Sequence, residues 1–369
     1  MSHYAELNTS PRLLLGPGPS TVHPRVLRAM AHPLVGHLDP QFIALMNQVQ
    51  ELLRAVFQTK NQLTVPISGT GSAAMEASLC NLIEPGDSVL IGVCGYFGER
   101  LCEMASRYGA EVRRIDRAPG AAFDPQEFEA ELKKKPAKVM ALVHAETSTG
   151  VLQPMEGMSE VAHRYGALLI VDTVTSLGGV PVKVDEWDVD VAYSCSQKCL
   201  GAPSGLGPIT VSERARQVIQ ERKTPVANWY LDLSLLGKYW GSERTYHHTA
   251  PISMNYALYE ALRMIDEEGL EARFARHRAN AELLWEGLQA LGMELFVQPE
   301  IRLPQLTTVR IPEGVDDGAV RQQLLNTYNI EIAGGLGATK GKVWRIGLMG
   351  YSSQPQNVLM LLGALKKLI

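Results

Sequence analysis

Between about Leu63 and Ser212 the chain alternates short apolar runs with helix-patterned segments, and no other feature limits its fold as strongly. That alternation is the pattern of a mostly parallel α/β sheet, because parallel neighbours need a crossover and a helix supplies it. The runs Ser88-Val89-Leu90-Ile91-Gly92-Val93, Ala137 to Val143 and Ala167-Leu168-Leu169-Ile170-Val171 are almost unbroken, as in strands buried on both faces. Asp39-Pro40 and Asp124-Pro125 each set an N-cap acid before a first-turn proline. After the first of these, Phe42, Ile43, Leu45, Met46, Val49, Leu52, Leu53 and Val56 follow helical spacing. Glu84-Pro85-Gly86-Asp87 reads as a turn.

Composition shifts after about Asn255. A charged helix is expected from about Glu267 to Leu291, with strands at 293–297, 306–311 and 343–348 and helices at 316–328 and 355–368. The expected division is an N-terminal arm over 1–20, a large domain over 21–255 and a smaller α+β C-terminal domain over 256–369.

A chain of 369 residues, 46% hydrophobic, is long enough for one large core and a second, smaller one. The formal net charge of -4 gives no support for nucleic-acid binding. Five scattered cysteines without a CxxC pair fit a reduced, cytoplasmic protein. Cys195 and Cys199 lack further plausible zinc ligands, so no metal is expected. The first residues have neither a basic nor an apolar region, so no secretory leader is expected, and no apolar run is long enough to suggest a membrane span.

The chemistry gathers around Lys198, in Ser194-Cys195-Ser196-Gln197-Lys198-Cys199-Leu200-Gly201. Its neighbours are small and Val189 to Tyr193 before it reads as a buried strand, whereas lysine is seldom buried without a partner or a task. Asp172 ends an apolar run earlier in the chain, and strand carboxyl ends in α/β sheets are where ligands sit. Ser68-Gly69-Thr70-Gly71-Ser72 follows a strand and opens a helix, a setting in which free amides face outward and suit a phosphate. Each has a bland alternative: a snorkelling lysine, a strand-end acid, a capped turn. Together and in this order they describe an amine for a Schiff base, an acid for a protonated ring nitrogen and a phosphate loop. That is the layout of a pyridoxal 5'-phosphate (PLP) enzyme.

Further residues carry a family likeness: Leu13 to Ser20, Ser68 to Ser72, Glu146-Thr147-Ser148-Thr149-Gly150, Val171-Asp172, Tyr193 to Lys198, Tyr246-His247-His248-Thr249 and Arg345-Ile346-Gly347. From about Leu13 onward the chain resembles the class V aminotransferases, PLP enzymes of fold type I, and most of all those of the alanine–glyoxylate or serine–pyruvate kind. The resemblance implies that Lys198 carries the cofactor and moves the proton, and that Asp172 pairs with the pyridine nitrogen. It implies that Thr70, Gly71, Ser72 and Gln197 hold the phosphate, that Thr147 meets the ring's phenolic oxygen side and that Val174 packs on one ring face. Phe97 stands at the stacking position where relatives often carry Trp, and Ser72 where a relative carries His. Tyr246 and Thr249 would reach the cofactor of a neighbouring subunit, implying a homodimer with shared sites. Arg345 would bind the substrate carboxylate through a bidentate fork, with Gly18 and Thr147 nearby.

The implied reaction moves an amino group from alanine or serine to glyoxylate, giving glycine and pyruvate or hydroxypyruvate, by a ping-pong scheme. The nearest rival is an (S)-ureidoglycine–glyoxylate aminotransferase, which shares scaffold and acceptor. A cysteine-desulfurase-like lyase would need a mobile-loop cysteine, and the five cysteines sit in core or cofactor segments. A non-catalytic relative would be expected to lack Lys198 or Arg345, and both are present.

Overall fold

Seven strands form the central sheet of the computed structural model, which describes residues 4–369. Their spatial order is Leu63–Ser68, Leu206–Val211, Val191–Tyr193, Leu168–Asp172, Val139–Val143, Ser88–Val93 and Glu111–Asp116. Leu206–Val211 runs antiparallel to both its neighbours, and the remaining pairings are parallel. The sheet is thus mostly parallel, as the alternation implies. Side chains leave a strand on alternating faces. Ile91, Ala141, Ile170 and Val191 enter one apolar cluster, and their neighbours Leu90, Met140, Leu169 and Ala192 enter another. Both faces are therefore buried, which explains the unbroken apolar runs. The edge strand Glu111–Asp116 is half-exposed and charged, so it resists pairing with a second sheet.

The proline-led helices start where expected. Asp39 accepts from the Gln41 amide at 2.8 Å to open Pro40–Phe57, and Glu127 returns to the Asp124 amide at 2.9 Å to open Pro125–Lys134. A smaller antiparallel sheet, in the order Leu306–Arg310, Val343–Gly347, Ala333–Gly334, has its own core, in which Leu284, Leu288, Trp344, Ile346 and Leu361 meet. Leu15 joins that core, and Leu13–Leu14 pairs in parallel with Ile330–Glu331.

Two local expectations change. The region 293–297 contributes one bridge, Leu295 opposite Val309, in place of a strand. The charged helix forms as Leu270–Ala290, and a further helix, Ile252–Glu268, precedes it across Gly269, whose φ of 79° favours glycine. Leu258, Leu262 and Ile265 of that preceding helix bury in the large core, so the turn from one core to the other falls near Gly269 rather than after Asn255. Among the described residues no helix is long and apolar enough to cross a membrane.

Candidate functional site

At the carboxyl ends of the central strands lies a cavity of about 230 Å³. Its walls bring together Gly18, Thr70, Gly71, Ser72, Phe97, Asp172, Val174, Gln197 and Lys198, nine residues expected from the sequence. Different elements deliver them. Strand Leu63–Ser68 turns at Gly69 into helix Gly71–Leu82. Asp172 is the last residue of its strand, and Lys198 follows the neighbouring strand Val191–Tyr193.

Asp172 is 2% exposed and held from two sides: the Val174 amide donates to Oδ1 at 2.8 Å, and the Tyr193 hydroxyl donates to Oδ2 at 2.8 Å. Tyr193 stands opposite Asp172 in the strand register. Burial pushes the carboxyl up to about 6, against the pull of these two donors and of Lys198. Lys198 is buried too, and burial lowers its pKa, with Arg345 pushing the same way. A lowered pKa raises the fraction of neutral, nucleophilic amine. Lys198 Nζ donates to the Pro17 carbonyl. A Cβ on Gly18, whose φ is 111°, would lie 2.6 Å from that nitrogen, so the arm can pass the lysine only as glycine.

The backbone behind Lys198 is pinned. Ser20 donates its hydroxyl to the Lys198 carbonyl at 2.9 Å, and Arg273 donates to the Cys199 carbonyl at 2.6 Å. Arg273 also reaches the Gly178 carbonyl at 2.8 Å and pairs with Glu268 at 2.7 Å.

Phe97 is aimed by another buried acid. Helix Tyr96–Arg107 has no side-chain cap from Gly95. Its first amides donate instead to Ser148 Oγ (Tyr96, 2.9 Å) and Glu146 Oε2 (Phe97, 3.1 Å). Ser148 in turn donates to Glu146 Oε1 through its amide at 3.0 Å and its hydroxyl at 2.7 Å. Burial raises the Glu146 pKa against these donors.

Four expected residues lie off the cavity wall. Thr147 is buried, and it is its carbonyl that engages the site, accepting from Arg345 Nη1 at 3.4 Å. Arg345, in strand Val343–Gly347, also donates to the Gly334 carbonyl at 2.8 Å. Among the described residues no carboxylate pairs with it, although it is only 8% exposed. Tyr246 and Thr249 are exposed, and the Tyr246 ring rests 5.3 Å from that of His37. His247 and His248 bond to each other at 2.8 Å, and no cluster of metal-binding side chains exists among the described residues.

Sequence reasoning passed over Arg100 and Arg273, and it quoted Tyr193 and Glu146 in the family likeness without giving either a role. Arg100 carried a usable signal, since it falls one helical turn after Phe97 and lines the same cavity.

These residues fit a phosphorylated pyridine aldehyde. Thr70 does not cap its own helix, which leaves its hydroxyl and the first amides for an anion. Gln197 lines the same wall, and its side-chain N–H groups are donors it can offer an anion. Phe97 and Val174 offer apolar surface to a ring, Asp172 an acid to its nitrogen and Lys198 an amine to its aldehyde.

The aminotransferase class-V family model matches residues 14–358. The chain is 45% identical over 387 residues to the (S)-ureidoglycine–glyoxylate transaminase of Bacillus subtilis (strain 168), covering 100% of this chain and 93% of that protein. It is 44% identical over 365 residues to the alanine–glyoxylate aminotransferase of Mus musculus, covering 98% and 88%. The crystal structure of an alanine–glyoxylate aminotransferase from Nostoc sp. superposes with a TM-score of 0.98 at 57% identity, covering 100% of this chain and 97% of that one.

Proposed function

The chain belongs to the class-V aminotransferase family of PLP-dependent transaminases, and we propose that it carries the amino group of alanine or serine to glyoxylate. The products are glycine and pyruvate or hydroxypyruvate. One observation carries the reading. Arg345, buried without a carboxylate partner among the described residues and near enough to Lys198 to lower its pKa, is placed to anchor the carboxylate of an amino or 2-oxo acid. The relatives support the acceptor, because glyoxylate stands in the names of both curated proteins.

When bound, the cofactor supplies a protonated ring that draws electrons from the substrate carbon. The residues of this chain do the rest. Asp172, ionised, holds the proton on the ring nitrogen. Lys198 Nζ, its pKa lowered by burial, would act as the general base that removes the substrate α-proton. Arg345 has guanidinium donors free of any carboxylate partner and clamps the substrate carboxylate. Phe97 and Val174, both on the cavity wall, would offer apolar surface to the ring and exclude water there. Tyr246 and Thr249, exposed here, complete the phosphate site of a second copy in a homodimer; sedimentation of the purified protein as a monomer would remove this part.

The deciding experiment is a half-reaction screen. The PLP form is mixed with alanine, serine, (S)-ureidoglycine or hydroxykynurenine, and loss of its visible absorption is followed. Alanine or serine reacting fastest is expected. (S)-Ureidoglycine reacting fastest would favour the second reading, which the 45% identical relative supports. No reaction with any of these would overturn both. Lys198→Ala should abolish the borohydride-trapped cofactor adduct, and an adduct at another lysine would sink the assignment.

A further inference from the structure

The phosphate end of the cavity has a cation that the expected ligand set omits. Arg100 lines the cavity beside Thr70, Gly71 and Ser72, and its Nη1 donates to Ser72 Oγ at 3.1 Å. Its guanidinium carbon sits 5.0 Å from the centre of the Phe97 ring and 5.2 Å from that of Tyr96, within cation–π range of both. The adjacent acid, Glu99, is taken by Arg114 at 2.7 Å, and among the described residues no carboxylate pairs with Arg100.

Donors therefore outnumber acceptors at this end of the cavity. The first amides of helix Gly71–Leu82 are uncapped by Thr70, and Arg100 meets only the hydroxyl of Ser72. The other cation on the wall, Lys198, is engaged by Pro17 and reserved for covalent chemistry. The acid on the wall, Asp172, already accepts from Val174 and Tyr193. A dianion at the helix start is what would balance this arrangement, and guanidinium is the side chain best shaped for phosphate.

Resting on the PLP reading above, we propose that Arg100 is a phosphate-binding residue of this enzyme. Its fork closes on the cofactor phosphate from the side of Ser72. The short serine suits this, because its hydroxyl lets the guanidinium approach the helix start.

The test separates the phosphate from the ring. Apoenzyme of the full chain is titrated with PLP and with pyridoxal, which lacks the phosphate, and binding is followed by absorption and fluorescence. Arg100→Gln should lower PLP affinity about tenfold to a hundredfold, the scale of one charge-assisted hydrogen-bonded pair. Pyridoxal affinity should not change, which also shows that the variant is folded. Arg100→Lys should recover part of the PLP affinity. Inorganic phosphate should raise the melting temperature of wild-type apoenzyme and not that of Arg100→Gln. An equal loss for PLP and pyridoxal would assign Arg100 to ring packing and overturn the proposal, as would unchanged PLP affinity. Failure of the wild-type protein to bind either compound would instead overturn the PLP reading itself.

Discussion

Asp172→Asn should stabilise the cofactor-free protein while crippling the loaded one. The folded carboxyl titrates at about 6 rather than 3.8 because it is 2% exposed and desolvated. The native state therefore binds its proton more tightly than the unfolded chain does. Stability from this group is fullest below about pH 4, falls as pH rises through the window from 3.8 to about 6, and stays low above it. At about 1.4 kcal/mol per pKa unit, the burial of the ionised form costs about 3 kcal/mol at pH 8. Asparagine keeps an acceptor for the Val174 amide and carries no charge. Urea denaturation of both apoenzymes at equal concentration, from pH 4 to pH 8, measures the gap. The variant should be more stable by up to about 3 kcal/mol at pH 8, and the gap should close toward pH 4. Glu146, whose pKa is also raised by burial, is present in both proteins and largely cancels in the difference. Equal stability at pH 8, or a gap that widens toward acid, would refute the reasoning. In the same variant PLP should bind more weakly and proton removal should slow, because the ring nitrogen loses its counter-charge.

Gly18→Ala should abolish turnover with little change in overall fold, since the new methyl would lie 2.6 Å from Lys198 Nζ; kinetics with an intact circular dichroism spectrum checks this. Arg345→Ala should raise KM for amino donor and keto acceptor alike, each by about tenfold or more. A rise confined to one of them would mean another carboxylate anchor. Arg273→Met leaves the buried carbonyls of Cys199 and Gly178 without their donor and Glu268 with Arg276 alone, and should cost about 2–4 kcal/mol in urea denaturation. A loss under about 1 kcal/mol, the size of an ordinary exposed pair, would show that the network contributes little.

Much of the site could be read from the sequence because strand ends in a parallel sheet converge. Once the apolar runs are placed, Asp172 at the end of one strand and Lys198 after the next must be near each other. The turn at Ser68–Ser72 is legible for the same reason. Residues that act through tertiary register were hidden. Tyr193 holds Asp172 only because the two face each other across a strand pair, and apolar patterning does not specify that pairing. Glu146 caps a helix 49 residues earlier in the chain, and nothing local to either segment announces it. The region 293–297 has strand-like composition but pairs only around Leu295, where the Phe296 amide donates to the Thr308 carbonyl at 3.0 Å and the Arg310 amide to the Glu294 carbonyl at 2.8 Å. Thr147 meets Arg345 through its carbonyl, a group that sequence patterns do not address.

The charged groups of the site divide into two kinds, and stability data can tell them apart. Among the described residues Asp172 is desolvated without a counter-cation in contact, and Arg345 and Arg100 have no carboxylate partner. Each is a liability to the empty protein, and each finds its opposite charge on a ligand: the ring nitrogen, the substrate carboxylate and the phosphate. Arg273 is also buried, but Glu268 and two carbonyls already satisfy it, and it meets no ligand. A ligand stabilises a protein by its preference for the folded state, so the gain in melting temperature with PLP measures the first kind of group. Asp172→Asn and Arg100→Gln should therefore shrink that gain without lowering the apoenzyme's own melting temperature. Arg273→Met should lower the melting temperature of both forms and leave the gain nearly intact. If Arg273→Met instead removed the gain and spared the apoenzyme, the clamp behind Lys198 would belong to the binding machinery, and the division would fail.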